Sequence, residues 1–126
     1  MTNEDTNTKE QTFDLEERTA RFGEKVIQFV KTVRLTPVTD SLVRQLVRAA
    51  TSIGANYCEA NDAQSKKDFR HKISLCRKEA KETKHWLRMI AAADESTQQP
   101  ARELWQEAKE LNLVFSSIVK NTRIQA

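Results

Sequence analysis

Glu82 and His85 stand three residues apart, the Glu-x-x-His spacing with which helices of a bundle hold a di-iron centre. Such a centre needs that pair on two helices plus a Glu from each of two others, and the sequence holds a single match. His71, the other histidine, precedes His85 by about 21 Å of helix at about 1.5 Å per residue, so the two cannot share an ion. Cys58 and Cys76 lack zinc-type spacing and fall inside helical patterns, which predicts reduced thiols used as core filler in a cytosolic protein. With two glycines in the chain, no P-loop or dinucleotide fingerprint can be assembled, and no Ser-His-Asp arrangement is found. The expectation is no catalytic residue, no metal and no cofactor.

Charge is more informative. The chain carries a formal net charge of +3 and a pI near 9.0. Its cations cluster: Lys66, Arg70, Arg77, Lys81, Lys84 and Arg88, with Ser74 filling the gap, follow three- and four-residue steps along one helix face. This ridge spans about 33 Å at about 1.5 Å per residue. Its like-charge pairs four apart each cost about 0.2–0.5 kcal/mol in an isolated helix, so an anionic partner would relieve it. Nucleic-acid phosphates would serve, as would an acidic protein; a simply solvated cationic face would carry the same residues.

A second stripe, Gln45, Arg48, Ser52, Asn56 and Glu59, has the spacing of a packed seam but is polar throughout. Ser and Asn are mediocre helix formers at positions where a solvent face prefers Glu, Lys or Gln. Their use predicts a subunit interface or an inter-helix hydrogen-bond network. Leu75, Trp86 and Met89 lie away from the ridge and from the core stripe of the same helix, a second apolar surface that another chain or the fourth helix could cover.

These residues need long helices to position them. Leu15, Phe22, Val26, Phe29, Val30 and Val33 predict a first helix over about Asp14–Arg34. Thr36-Pro37 interrupts the pattern, and Thr39 or Asp40 is the expected cap of a second helix carrying Leu42, Leu46, Ala49, Ala50, Ile53 and Tyr57 to about Asn61. Ser65 and Asp68 open a third, capping-box-like, with Phe69, Ile73, Cys76, Ala80, Leu87 and Ile90 inside to about Ala93. Pro100 suits the first turn of a fourth, whose stripe is Leu104, Ala108, Leu111, Phe115, Ile118 and Val119. Four stripes and short connections predict an all-α fold, an antiparallel up-down-up-down four-helix bundle over residues 13–126, behind a disordered tail over residues 1–12. Gly54 falls within the second helix, which implies a neighbouring helix packed closely against it. The N-terminal residues lack the apolar core of a signal peptide, and no stretch suits a membrane span; the expected location is cytoplasmic.

The run Gln45-Leu46-Val47-Arg48-Ala49-Ala50-Thr51-Ser52-Ile53-Gly54-Ala55-Asn56, then Glu59, Ser65-Lys66-Lys67-Asp68-Phe69, Lys78-Glu79-Ala80-Lys81-Glu82-Thr83 and Trp86-Leu87, resembles the four-helix-bundle proteins of the 23S rRNA intervening-sequence family. The resemblance covers about Phe22–Asn121, and the helix-two run is its most specific part. It implies a homopentameric bundle, of a kind encoded in some cases inside intervening sequences of bacterial large-subunit rRNA genes. A similar fold serves the accessory protein of diversity-generating retroelements, a partner of nucleic acid and reverse transcriptase. Where the family often has Ala-Glu-Gly after the Asn, this chain has Cys58-Glu59-Ala60.

Together these readings predict a non-enzymatic homo-oligomer that binds RNA or DNA through the third-helix ridge. The alternative is a protein-interaction scaffold that docks an acidic protein partner on the same ridge.

Overall fold

The computed structural model describes residues 4–122, with side chains for residues 15–122. Four helices follow one another: α1 (Glu4–Val30), α2 (Pro37–Asn61), α3 (Lys66–Ala93) and, after a short 3-10 turn at Glu95–Thr97, α4 (Gln98–Asn121). The expected tail over residues 1–12 lies entirely outside the described side chains, and residues 1–3 lie outside the described residues; backbone helix is assigned from Glu4.

Local chemistry sets the boundaries. α1 stops at Val30, earlier than the expected Arg34, because the chain there turns toward α2: Thr32 and Val33 N–H groups bond Phe29 and Val30 carbonyls in tighter turns. Proline at position 37 forces the preceding residue into extended backbone, and Thr36 takes φ −138° and ψ 167°. Thr36, not Thr39 or Asp40, is therefore the cap of α2. Thr39 is its reciprocal partner, donating to the Arg34 carbonyl at 2.6 Å while its Oγ1 accepts from the Thr36 N–H at 2.8 Å. Ser65 caps α3 by accepting from the Asp68 N–H at 3.0 Å. At the other end of α3, Asp94 accepts from Ser96 Oγ at 2.6 Å and from the Arg34 N–H at 3.0 Å. One carboxylate thus ties the α1–α2 and α3–α4 junctions together at one end of the bundle.

Neighbouring helices run antiparallel, since contacts recede along one as they advance along the other. Thr19 and Gly23 meet Gly54 and Thr51 across α1 and α2. Cys76 reaches the Ile53 carbonyl, and Lys72 reaches Glu59, across α2 and α3. Arg70 reaches the Val119 carbonyl, and Asn112 the Arg77 carbonyl, across α3 and α4. The core between them holds Phe22, Leu46, Ile53, Ile73, Leu87, Leu111 and Phe115. Burial of each such side chain contributes about 1.5–3 kcal/mol. Ala49, Ala50, Ala80 and Ala108 are fully buried between the larger groups and let the helices approach. Gly54 has no positive φ, so conformational freedom does not explain it; the close approach of α1 does, with Thr19 standing where a Cβ would meet it at 3.3 Å.

α1 lies chiefly against α2 and meets α4 only sparsely. The gap between α1 and α4 is floored by Phe22, Phe29 and Leu104 and rimmed by Lys25, Glu103 and Glu107. The best-packed part of the bundle is therefore α2, α3 and α4, and both candidate stripes lie on two of these helices, α2 and α3.

Candidate nucleic-acid interface

The six ridge cations fall on the flank of α3 that meets α4. Lys66, Arg77, Lys81 and Arg88 are exposed, and Arg70 and Lys84 are half-buried. Arg70 Nε donates to the Val119 carbonyl at 3.4 Å, and the Lys84 ammonium lies 5.2 Å from the centre of the Trp105 ring. Helix periodicity explains the placement, because the ridge is rotated about a quarter turn from the buried stripe of Ile73, Ala80 and Leu87.

Carboxylates are sorted away from this flank. On α3, Glu79 and Glu82 face α2, where Arg48 binds both, with Arg48 to Glu82 at 2.8 Å. On α4, Glu107 and Glu110 face α1 and take up Arg18, Glu107 at 2.7 Å. The i,i+4 pairs Glu17–Arg21 and Asp40–Arg44 neutralise cations elsewhere. Among the described residues, none of the six ridge cations makes an ion pair. The surface is cationic because Glu79 and Glu82 of α3 and Glu107 and Glu110 of α4 are used on other faces, not because the chain is very basic overall.

α4 enlarges the ridge in a way the sequence reading missed. Arg102, Trp105, Lys109 and Asn112 recur at three- and four-residue steps and meet the α3 flank. Asn112 Nδ2 donates to the Arg77 carbonyl at 2.9 Å, and Lys109 lies 5.8 Å from the Trp105 ring centre. That spacing was available in the sequence, but no rule on periodicity says which polar face of one helix will adjoin which of another.

The helix-two stripe is arranged differently from a uniform inter-helix network. Arg48 crosses to Glu79 and Glu82, and Glu59 accepts from Lys72 at 2.7 Å. Gln45 Oε1 accepts from Arg48 Nε at 3.4 Å. Ser52, however, donates to the Arg48 carbonyl at 2.6 Å and Asn56 to the Ser52 carbonyl at 2.9 Å, so both bond their own helix. The hydrogen bond to Glu82 is the main reason the Arg48 guanidinium holds its proton more tightly than usual, against some desolvation. For Lys72, the hydrogen bond to Glu59 acts likewise.

Leu75, Trp86 and Met89 are half-buried. Helix periodicity groups them with Glu82, on the side of α3 away from the ridge. Trp86 packs on the core and meets His85 edge-on, with ring centres 4.9 Å apart. Its indole Nε1 is buried and has no hydrogen-bond partner among the described residues.

Of the two thiols, Cys76 is core filler: burial pushes it up to about 12, and its Sγ donates to the Ile53 carbonyl at 3.5 Å. Cys58 is not; it is exposed, lying one residue out of phase with buried Tyr57. Glu82 of the Glu-x-x-His pair is bound by Arg48, and no cluster of three or more metal-ligating side chains occurs among the described residues. No described helix is long and apolar enough to cross a membrane.

The sequence profile of the 23S rRNA-intervening sequence protein family matches residues 11–117. The chain belongs to that family. A crystal structure of a Bacteroides thetaiotaomicron protein of unknown function from the S23 ribosomal protein family is similar, with 29% identity and a TM-score of 0.73, covering 84% of this chain and 98% of that one. No curated protein matches the sequence.

Proposed function

We propose that the chain is a non-enzymatic, oligomeric RNA-binding protein whose α3 ridge, with Arg102 and Lys109 of α4, tracks a phosphate backbone. The observation that carries this reading is a row of six cations along one flank, none of which makes an ion pair among the described residues, while Arg18, Arg21, Arg44, Arg48 and Lys72 are paired on other faces. Phosphates bound there would release condensed counterions, and several copies of the ridge in one assembly would raise avidity without new contacts. The 23S rRNA-intervening sequence membership is consistent with an RNA partner.

The α2/α3 flank supports the oligomeric part. An indole N–H buried without a partner costs about 1–3 kcal/mol, and an acceptor from a second copy seated over Trp86, Leu75 and Met89 would remove that cost. Arg48, Ser52 and Asn56 border the same flank and would form its polar edge.

Purification of the full chain at low salt, followed by extraction of bound nucleic acid and native mass measurement, tests both parts. RNA is expected with the parent assembly and is expected to be lost when Arg77, Lys81, Lys84 and Arg88 are all replaced by Gln. An oligomer that carries no RNA and instead retains an acidic protein through the same four residues would replace this reading with the scaffold.

A further inference from the structure

At one end of the ridge, α3 and α4 leave a groove of about 440 Å³ between Leu87, Ala91, Ala101 and Trp105, with Arg88 and Arg102 on its rim. That volume lies within the span of about 300–1,000 Å³ typical of small-ligand clefts. Alanines at 91 and 101 leave the Trp105 side of the groove open where larger side chains would fill it. Trp105 itself is half-buried, and the ammonium groups of Lys84 and Lys109 stand 5.2 and 5.8 Å from its ring centre. Four cations thus surround one aromatic plate, and among the described residues none of the four has a carboxylate partner.

We infer that Trp105 is a stacking platform for an unpaired nucleobase, with Lys84, Arg88, Arg102 and Lys109 holding the phosphates on either side of it. The inference rests on the RNA-binding reading and adds a strand preference that the ridge alone does not have. A row of cations is indifferent to base pairing, since it reads only phosphate. An aromatic plate at the cation row selects a ligand that offers a flat π-face within a bond or two of an anion, which is a single-stranded nucleotide. An acidic peptide satisfies the cations and leaves the ring unused. Both ammoniums lie over the ring within cation–π range, so a base that stacks there displaces them, and the flexible four-carbon stems let each one move to a phosphate as the base enters.

Three probes separate the terms: a single-stranded oligouridylate, an abasic strand with the same number of phosphates, and a blunt RNA duplex. Trp105→Leu keeps an apolar side chain in the groove, Trp105→Phe keeps the aromatic face, and circular dichroism establishes that both fold. The expected result is that Trp105→Leu binds oligouridylate about 5- to 150-fold more weakly, with an unchanged salt slope, because one stacked base is lost and no charge is removed. Trp105→Phe recovers most of that loss, and binding of the abasic strand and duplex is the same in all three proteins. Oligouridylate quenches the tryptophan fluorescence of the parent more than that of Trp105→Phe, and the abasic strand quenches neither. If Trp105→Leu binds oligouridylate as the parent does while the Arg77, Lys81, Lys84 and Arg88 Gln variant does not, the stacking platform is overturned and the ridge stands. If the Gln variant binds all three probes as the parent does, the ridge and the platform fall together.

Discussion

Gly54 offers a sharp test of how α1 is held against α2. In an unconstrained helix, Gly54→Ala would gain about 0.8–1.0 kcal/mol from helix propensity. Here the new Cβ would stand 3.3 Å from Thr19 Oγ1, 3.5 Å from Thr19 Cβ and 3.6 Å from the Thr19 carbonyl carbon. The hydroxyl cannot simply rotate away, because it donates to the Leu15 carbonyl at 2.8 Å and lies 3.1 Å from the Glu16 carbonyl, and the residue is only 2% exposed. The helices must separate by a few tenths of an ångström, which offsets the propensity gain and leaves Gly54→Ala within about 1 kcal/mol of the parent. Gly54→Leu adds atoms that the interface has no room for, and should cost about 1–3 kcal/mol. Replacing Thr19 by Ala removes the nearest obstacle, so in that background Gly54→Ala should recover its gain, a coupling of about 0.5–1 kcal/mol. Urea unfolding of the parent, the two single variants and the double variant, followed by helical circular dichroism, measures the cycle. Equal gains from Gly54→Ala in both backgrounds, or a Gly54→Leu protein as stable as the parent, would refute the close crossing.

Two further outcomes follow from titratable groups. In the native chain at mildly alkaline pH, a thiol reagent should label exposed Cys58 and leave Cys76 untouched until urea is added, because Cys76 is buried and its thiol is pushed up to about 12; rapid native labelling in a Cys58→Ala protein would contradict this. Asp94 is held below the usual carboxylate range, first by the Ser96 hydroxyl and then by the Arg34 N–H. Its contribution is therefore present above about pH 4 and is lost as pH falls through its lowered folded value. Thermal midpoints of the parent should fall more steeply with acid than those of Asp94→Asn, and parallel pH profiles would show that the carboxylate does not tie the two junctions.

The four stripes were legible because a 3.6-residue period constrains which residues can be buried together, and Phe22, Ile53, Leu87 and Phe115 all fell on the faces their spacing assigned. Helix starts were harder: Thr36, Thr39 and Asp40 are all acceptable caps in isolation, and only the Pro37 ring and the reciprocal Thr36–Thr39 bonds choose between them. The same period grouped the six cations on one flank of α3 but was silent about its neighbour. Arg102, Trp105 and Lys109 joined it only once the antiparallel register of α3 and α4 was known. Sequence also could not say where each carboxylate would be used. The pairing of Glu79 and Glu82 with Arg48, and of Glu107 with Arg18, is a property of the packed helices, and it is what leaves the ridge unneutralised.

The most direct test of the account is the salt dependence of RNA affinity for the parent and for the variant with Gln at Arg77, Lys81, Lys84 and Arg88. For a single-stranded RNA, the account predicts that log K falls linearly with log salt concentration and that the variant's slope is shallower by about 3, close to 0.7 for each phosphate contact removed. Identical slopes for the two proteins, with the bundle intact in both, would contradict a phosphate-binding ridge.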